Sequence, residues 1–141
     1  MFKARSEARR SLTVTAICSD AATLEGLAGY LHRRVAYRAV LTLGRANEES
    51  MASDCVLLYP DGFPARPAQR LAKRLISCAT VSLVVIVAAQ PGEYEVLERN
   101  RTTSSRLMVL SPPAWPWTLF AAIESSFPSV HREASRLSQR N

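Results

Sequence analysis

Hydrophobic residues along the chain alternate between short continuous runs and helical stripes. The runs are rich in Val, Ile and Leu and predict five strands, at 12–18, 37–43, 54–59, 81–89 and 106–110. Between and after them, apolar residues three and four positions apart predict helices at 20–34, 45–52, 66–78, 93–100 and 115–127. The third and fourth runs are almost wholly apolar, which is typical of strands buried on both faces of a sheet.

Strands and helices alternate five times, which indicates an α/β fold with a parallel sheet and right-handed crossovers. At this length we expect one domain over 12–128, with five parallel strands in the order 2-1-3-4-5 and helices on both faces. Polar tails would flank it at 1–11 and 129–141. Ligands of such folds bind outside the carboxyl ends of the strands, which points to Cys18, Ser19 and Asp20 and to Tyr59 and Asp61.

Composition and charge argue against a membrane protein and against a nucleic-acid-binding protein. The 141 residues are 48% hydrophobic and 21% charged, and no apolar run approaches a membrane span. With no secretory signal visible, we expect a cytoplasmic protein without membrane contact. The net charge of +6 lies mostly in the tails, at +3 over 1–11 and +2 over 129–141, which leaves +1 for the body. Nucleic acid is therefore not an expected partner, although binding through the arginine-rich tails is an alternative.

The three cysteines have no metal-type spacing. Cys18 and Cys55 fall in predicted core strands, where reduced and packed thiols are expected. A redox role for Cys18, at the start of a helix, is a weaker alternative.

Two segments at strand ends resemble the receiver domain of bacterial response regulators. One is the third strand with its exit, DCVLLYPDGFP at 54–64, and the other is LSPP at 110–113. With the spacing of strands and helices, the resemblance covers about residues 11–128. It implies a receiver-like, flavodoxin-like three-layer sandwich.

Active receivers use five working residues, and the resemblance implies where their counterparts lie in this chain. The acidic pair that holds Mg²⁺ falls on Cys18 and Ser19, or on Ser19 and Asp20 with a shift of one residue. The phosphoacceptor falls on Tyr59, the switch hydroxyl on Ala88, and the lysine on Ser111. At most one carboxylate of the set remains, and tyrosine cannot replace an aspartyl nucleophile. We therefore expect a pseudo-receiver that is not an enzyme, has no catalytic residue and needs no cofactor.

An alternative hypothesis is that the protein is still phosphorylated on an aspartate. Asp61, which lies two residues after the predicted acceptor position, would be the phosphoacceptor, and Asp20 would hold Mg²⁺. These two residues are therefore weak candidates for a metal site. The interpretations that we prefer are a turn residue for Asp61, in Pro60-Asp61-Gly62, and a helix N-cap for Asp20.

Aromatic residues near the end of the chain indicate an interaction surface. Trp115, Trp117 and Tyr94 are its candidates, because aromatic residues are enriched at interface hot spots. In receivers the fourth helix, fifth strand and fifth helix often form contacts, so a homodimer through 93–100, 106–110 and 115–127 is one expectation. The other is a protein partner in bacterial signal transduction. Four basic residues of the helix at 66–78 are expected to be solvated: Arg66, Arg70, Lys73 and Arg74.

Overall fold

A computed structural model describes residues 12–33, 37–43, 52–97 and 106–127 of the chain. Both arginine-rich tails lie outside these residues, as do nearly all of the predicted helix at 45–52 and the end of the predicted helix at 93–100.

The described strands form a parallel sheet. They are β1 (Leu12–Cys18), β2 (Tyr37–Leu43), β3 (Cys55–Leu58), β4 (Leu83–Val87) and β5 (Arg106–Leu110). Strand β1 pairs with β2 and β3, β3 pairs with β4, and β4 pairs with β5, all in parallel. The α/β class with a parallel sheet is confirmed, and the strand order is β2-β1-β3-β4-β5. The order reverses between β1 and β3, which is where open α/β sheets have their ligand crevice.

Helices in the described residues begin after a capping aspartate or next to a proline. They are α1 (Ala21–Leu31), α2 (Ala65–Ser77), the single turn α3 (Gly92–Glu95) and α4 (Pro116–Ser126), with a 3₁₀ turn at Pro60–Gly62. Helix α1 ends before the predicted boundary, with His32 as its C-cap. Helix α4 begins at Pro116, because Trp115 is an extended N-cap and proline suits the first helical position.

Two apolar clusters cover the two faces of the sheet. Alternate strand residues such as Val14, Leu57 and Val85 pack with α1 and α4, whose buried side chains include Leu27 and Ile123. The intervening strand residues pack with α2 and the α3 region: Ile17, Val56, Leu58, Val84 and Ile86 contact the cluster that contains Leu75, Tyr94 and Leu97. Side chains of a strand point alternately to opposite faces, so each central strand contributes to both clusters. The described residues therefore form three layers.

Hydrogen bonds join the segment before β3 to β1. The Thr13 amide donates to the Asp54 carboxylate at 2.9 Å, and the Asp54 amide donates to the Thr13 carbonyl at 3.1 Å. The buried hydroxyls of Thr15 and Ser53 are also hydrogen-bonded to each other. These contacts fix the register of β3 against β1, and with it the position of the loop that follows β3.

The end of α4 lies beside the amino end of the sheet. The guanidinium of Arg106, the first residue of β5, donates a hydrogen bond to the Ser126 hydroxyl at 3.3 Å. Since α4 starts just after the carboxyl end of β5, it runs back along the sheet to the opposite edge.

No helix within the described ranges is long and apolar enough to cross a membrane.

Candidate functional site

An open cleft lies at the carboxyl ends of the central strands, at the reversal of strand order. Its volume is about 330 Å³. Three groups of residues line it. The first extends from the end of β1 into α1 and consists of Cys18, Ser19, Asp20 and Thr23; the second follows β3 and consists of Tyr59, Asp61 and Gly62. The third lies at the ends of β4 and β5 and consists of Val87, Pro112, Pro113, Ala114 and Trp115. Five predicted site residues, Cys18, Ser19, Asp20, Tyr59 and Asp61, are therefore brought together.

Asp20 is the N-cap of α1. Its carboxylate accepts hydrogen bonds from the Ala22 amide at 3.3 Å and from the Thr23 hydroxyl at 2.6 Å. The bond from Thr23 lowers the pKa of Asp20 below its ordinary value, so its carboxylate is charged at neutral pH. The N-cap interpretation of Asp20 is confirmed, and the residue remains exposed to solvent in the cleft.

Cys18 and Ser19 differ in their environment. Cys18 is buried, and its sulfur accepts a hydrogen bond from the Asp20 amide at 3.4 Å. Ser19 is exposed, but the 3₁₀ turn after β3 lies very close to it. A Cβ atom added to Gly62 would collide with the Ser19 hydroxyl and lie 2.8 Å from the Ser19 Cβ. The absence of a side chain at Gly62 is therefore what lets the loop after β3 close against the loop after β1.

Tyr59 follows the last residue of β3. Its amide donates to the Ile17 carbonyl at 3.0 Å, and its half-buried ring packs against the cluster beneath α1 and α4. Burial raises the pKa of the Tyr59 phenol to about 12, with a smaller contribution from Cys18. The residue at the predicted acceptor position is thus a neutral phenol at physiological pH.

Asp61 lies in the 3₁₀ turn rather than at the strand end. Its Oδ2 accepts a hydrogen bond from the Ala89 amide at 2.7 Å, which ties the loop after β3 to the loop after β4. The turn interpretation of Asp61 is confirmed. Its carboxylate is exposed at the cleft.

Ala88 and Ser111, the two remaining predicted pocket residues, do not line the cleft. Ala88 is fully buried, and its amide donates to the Leu110 carbonyl at 3.0 Å. Ser111 is exposed, and its neighbour Pro112 forms the wall instead.

Two of the three predicted interaction residues are exposed. Trp115 and Trp117 are 51% and 56% accessible, and their rings stack with centroids 5.3 Å apart and planes 8° from parallel. Tyr94 is a correction, because it is only 4% accessible and packs beneath α2 with Leu97 and Ile76. Its aromatic character alone indicates an interaction surface, but α3 directs the ring into the sheet face.

The chemistry of the cleft follows from the side chains that line it. Among the described residues that line it there are two carboxylates, and there is no lysine, arginine or histidine. No group of three or more potential metal ligands occurs within the described ranges. The sequence did not indicate that the cleft is also lined by Gly62, Thr23 and the wall from Pro112 to Ala114. Their one signal in the sequence is a position near the ends of predicted strands. Such a cleft offers acceptors and apolar surface, but no cation to hold a phosphoryl group.

The comparisons with known proteins give one structural neighbour. No family model matches the chain, and no curated protein is significantly similar to it. The fold is similar to the crystal structure of a protein from Burkholderia pseudomallei K96243 described as pilus assembly-related. The TM-score is 0.60 and the sequence identity 20%, over 82% of this chain and 88% of that one. At this identity the similarity shows a shared fold.

Proposed function

We propose that this protein is a pseudo-receiver, a module that binds a protein partner without being phosphorylated on aspartate. The observation that carries the proposal is the cleft at the reversal of strand order. It lies where receivers have their phosphorylation site, yet the part of its lining that the structure describes contains a neutral Tyr59 and no basic residue.

The geometry at Asp61 supports this proposal over the alternative of a displaced acceptor. One oxygen of Asp61 is already hydrogen-bonded to the Ala89 amide, in the loop that would carry the switch hydroxyl. If Asp61 were the acceptor, Asp20 would be the one other carboxylate among the described residues of the cleft, and it would have to hold Mg²⁺ while it also caps α1.

The stacked Trp115 and Trp117 support the binding part of the proposal. Large apolar side chains that are half exposed cost free energy in water and recover it when a partner covers them. They lie at the start of α4, next to β5, on the face through which we expect contact with a partner or a second copy. Because the structural neighbour is described as pilus assembly-related, proteins of pilus assembly are the first partners to screen.

The first experiment measures the intact mass of the protein after incubation with acetyl phosphate and Mg²⁺. We expect no gain of a phosphoryl group, because none of the described residues that line the cleft carries a positive charge to neutralise one. The Asp61→Asn variant, whose side-chain oxygen can still accept from Ala89, is the matched control. A gain in the wild type that Asp61→Asn abolishes would contradict the proposal and establish the displaced acceptor.

The second experiment tests the tryptophan surface. A partner captured with the wild type, or a second copy detected by sedimentation, is titrated with purified Trp117→Gln protein. We expect binding to weaken by at least about tenfold, as for a hot-spot aromatic.

Val96→Ser is the control for the tryptophan experiment, because Val96 is also exposed, at 47%, but belongs to the α3 region. Binding that is insensitive to Trp117→Gln, or equally sensitive to Val96→Ser, would refute the assignment of this surface. Binding through the arginine-rich tails to nucleic acid would instead show a steep dependence on salt and disappear when the tails are removed.

A further inference from the structure

The charge of the cleft is opposite to that of the chain. The protein carries a net charge of +6, but within the described ranges the residues that line the cleft include Asp20 and Asp61 and no basic side chain. A long-range field from the whole chain would repel cations, so any affinity of the cleft for a cation has to come from local contacts.

The two carboxylates retain acceptor capacity toward the cleft. Asp61 uses Oδ2 for the Ala89 amide, and its Oδ1 makes no hydrogen bond to the described residues. Asp20 accepts one bond at each oxygen, from Ala22 and Thr23. Because an ionised carboxylate has about four acceptor positions, both residues can accept further N–H donors.

The remaining walls suit an aliphatic stem and a flat cation. Val87, Pro112, Pro113 and Ala114 provide apolar surface, and the half-exposed ring of Trp115 borders the same cleft. Trp117 covers one face of the Trp115 ring by stacking and holds that ring in place. A fixed indole is the aromatic group that attracts cations most strongly, and guanidinium groups are the commonest protein cations that it binds.

From this combination we infer that the cleft binds an arginine side chain presented by the protein partner. Its guanidinium would donate to the carboxylates of Asp20 and Asp61 and lie beside the Trp115 ring, and its stem would lie against Pro112 and Pro113. The inference rests on the proposed function and names the chemistry of the partner segment. The site would thus select a cation in the place where receivers hold a phosphoryl anion.

The experiment titrates the full chain with acetyl-triarginine amide, followed by tryptophan fluorescence and by the amide and indole signals in NMR spectra. The control peptide carries citrulline, a neutral analogue of the same shape, at all three positions. We expect the arginine peptide to bind at least about tenfold more tightly, as for charge-assisted hydrogen bonds. The signals of Ser19, Asp20, Asp61 and Trp115 should shift together.

Three variants locate the binding. Asp20→Asn can still cap α1, and Asp61→Asn can still accept from Ala89, so each removes charge while it retains the local hydrogen bond. Each should weaken binding by about three- to tenfold, since each removes one ionised acceptor. Glu25→Gln removes the same charge at an exposed position of α1 outside the cleft, and it should leave the affinity unchanged.

Equal binding of the two peptides, no binding of either, or equal effects of Glu25→Gln and Asp61→Asn would overturn the inference. So would binding of a phosphoserine peptide that shifts the same cleft signals. These results would not affect the proposed function if Trp117→Gln still disrupts partner binding, because Trp117 does not line the cleft. If the arginine peptide does not bind the cleft and Trp117→Gln does not weaken partner binding, both proposals are rejected.

Discussion

Two buried threonines of the sheet differ in what their hydroxyls contact. The hydroxyl of Thr15 in β1 is hydrogen-bonded to that of Ser53, and both residues are fully buried. The hydroxyl of Thr42 in β2 is buried and has no hydrogen-bond partner among the described residues. A buried hydroxyl stabilises the fold only when it is paired, because it loses its hydrogen bonds to water on folding.

We therefore expect opposite effects from the same substitution at these two positions. Thr15→Val removes a buried hydrogen bond and should lower the free energy of unfolding by about 1–2 kcal/mol. Thr42→Val removes an unpaired hydroxyl and should leave that free energy unchanged or raise it by up to about 1 kcal/mol. The change in the midpoint of urea unfolding measures both. The explanation fails if Thr42→Val destabilises the protein as much as Thr15→Val.

The contact between the 3₁₀ turn and the start of α1 determines the shape of the cleft. Gly62 lies against Ser19 with no space for a Cβ atom, and the neighbouring Asp61 reaches the loop after β4. The loops that follow β1, β3 and β4 are thus joined around one side of the cleft.

Gly62→Ala tests this contact. The new methyl group would overlap Ser19, so we expect a loss of about 1–3 kcal/mol in the free energy of unfolding, as for other overpacked sites. In a Ser19→Gly background the obstacle is absent, and the same substitution should cost much less. A double-mutant cycle gives the coupling between the two positions. Additive effects in that cycle would show that the two loops do not meet at these residues.

The sequence was sufficient to predict elements whose hydrophobic pattern is strong. The apolar runs of β3 and β4 and the stripe of α2 are each consistent with one type of element. Topology then places Asp20, Tyr59 and Asp61 at one edge, since the carboxyl ends of parallel strands lie together.

Contacts that depend on the exact path of the backbone could not be predicted in this way. Residues two apart do not meet on a helix, yet Trp115 stacks on Trp117 because its extended cap backbone redirects the ring. The approach of Gly62 to Ser19 joins two loops 43 positions apart and has no local signature. The burial of Tyr94 could not be predicted from its aromatic character, because aromatic side chains occur both in cores and at interfaces.

At the scale of the whole molecule, charges of opposite sign occupy different surfaces. The four basic residues of α2 that we expected to be solvated are exposed: Arg66, Arg70, Lys73 and Arg74. The carboxylates of the cleft lie at the carboxyl ends of the strands, and the arginine-rich segments lie beyond the two ends of the described fold. A partner could therefore meet an acidic and aromatic surface on one side of the molecule and a basic surface on another.

The hydrogen bond between Arg106 and Ser126 has a practical consequence for measurements on this protein. It holds the end of α4 at the edge of the sheet where β1 also begins, so Leu12 and Phe127 both lie away from the cleft. A sensor chip, a bead or a fluorescent protein joined directly at Leu12 or Phe127 would then lie at the edge of the sheet opposite the tryptophans and the cleft. Protein immobilised through these two positions can accordingly be used for partner screening without blocking the surfaces that the screen is meant to test.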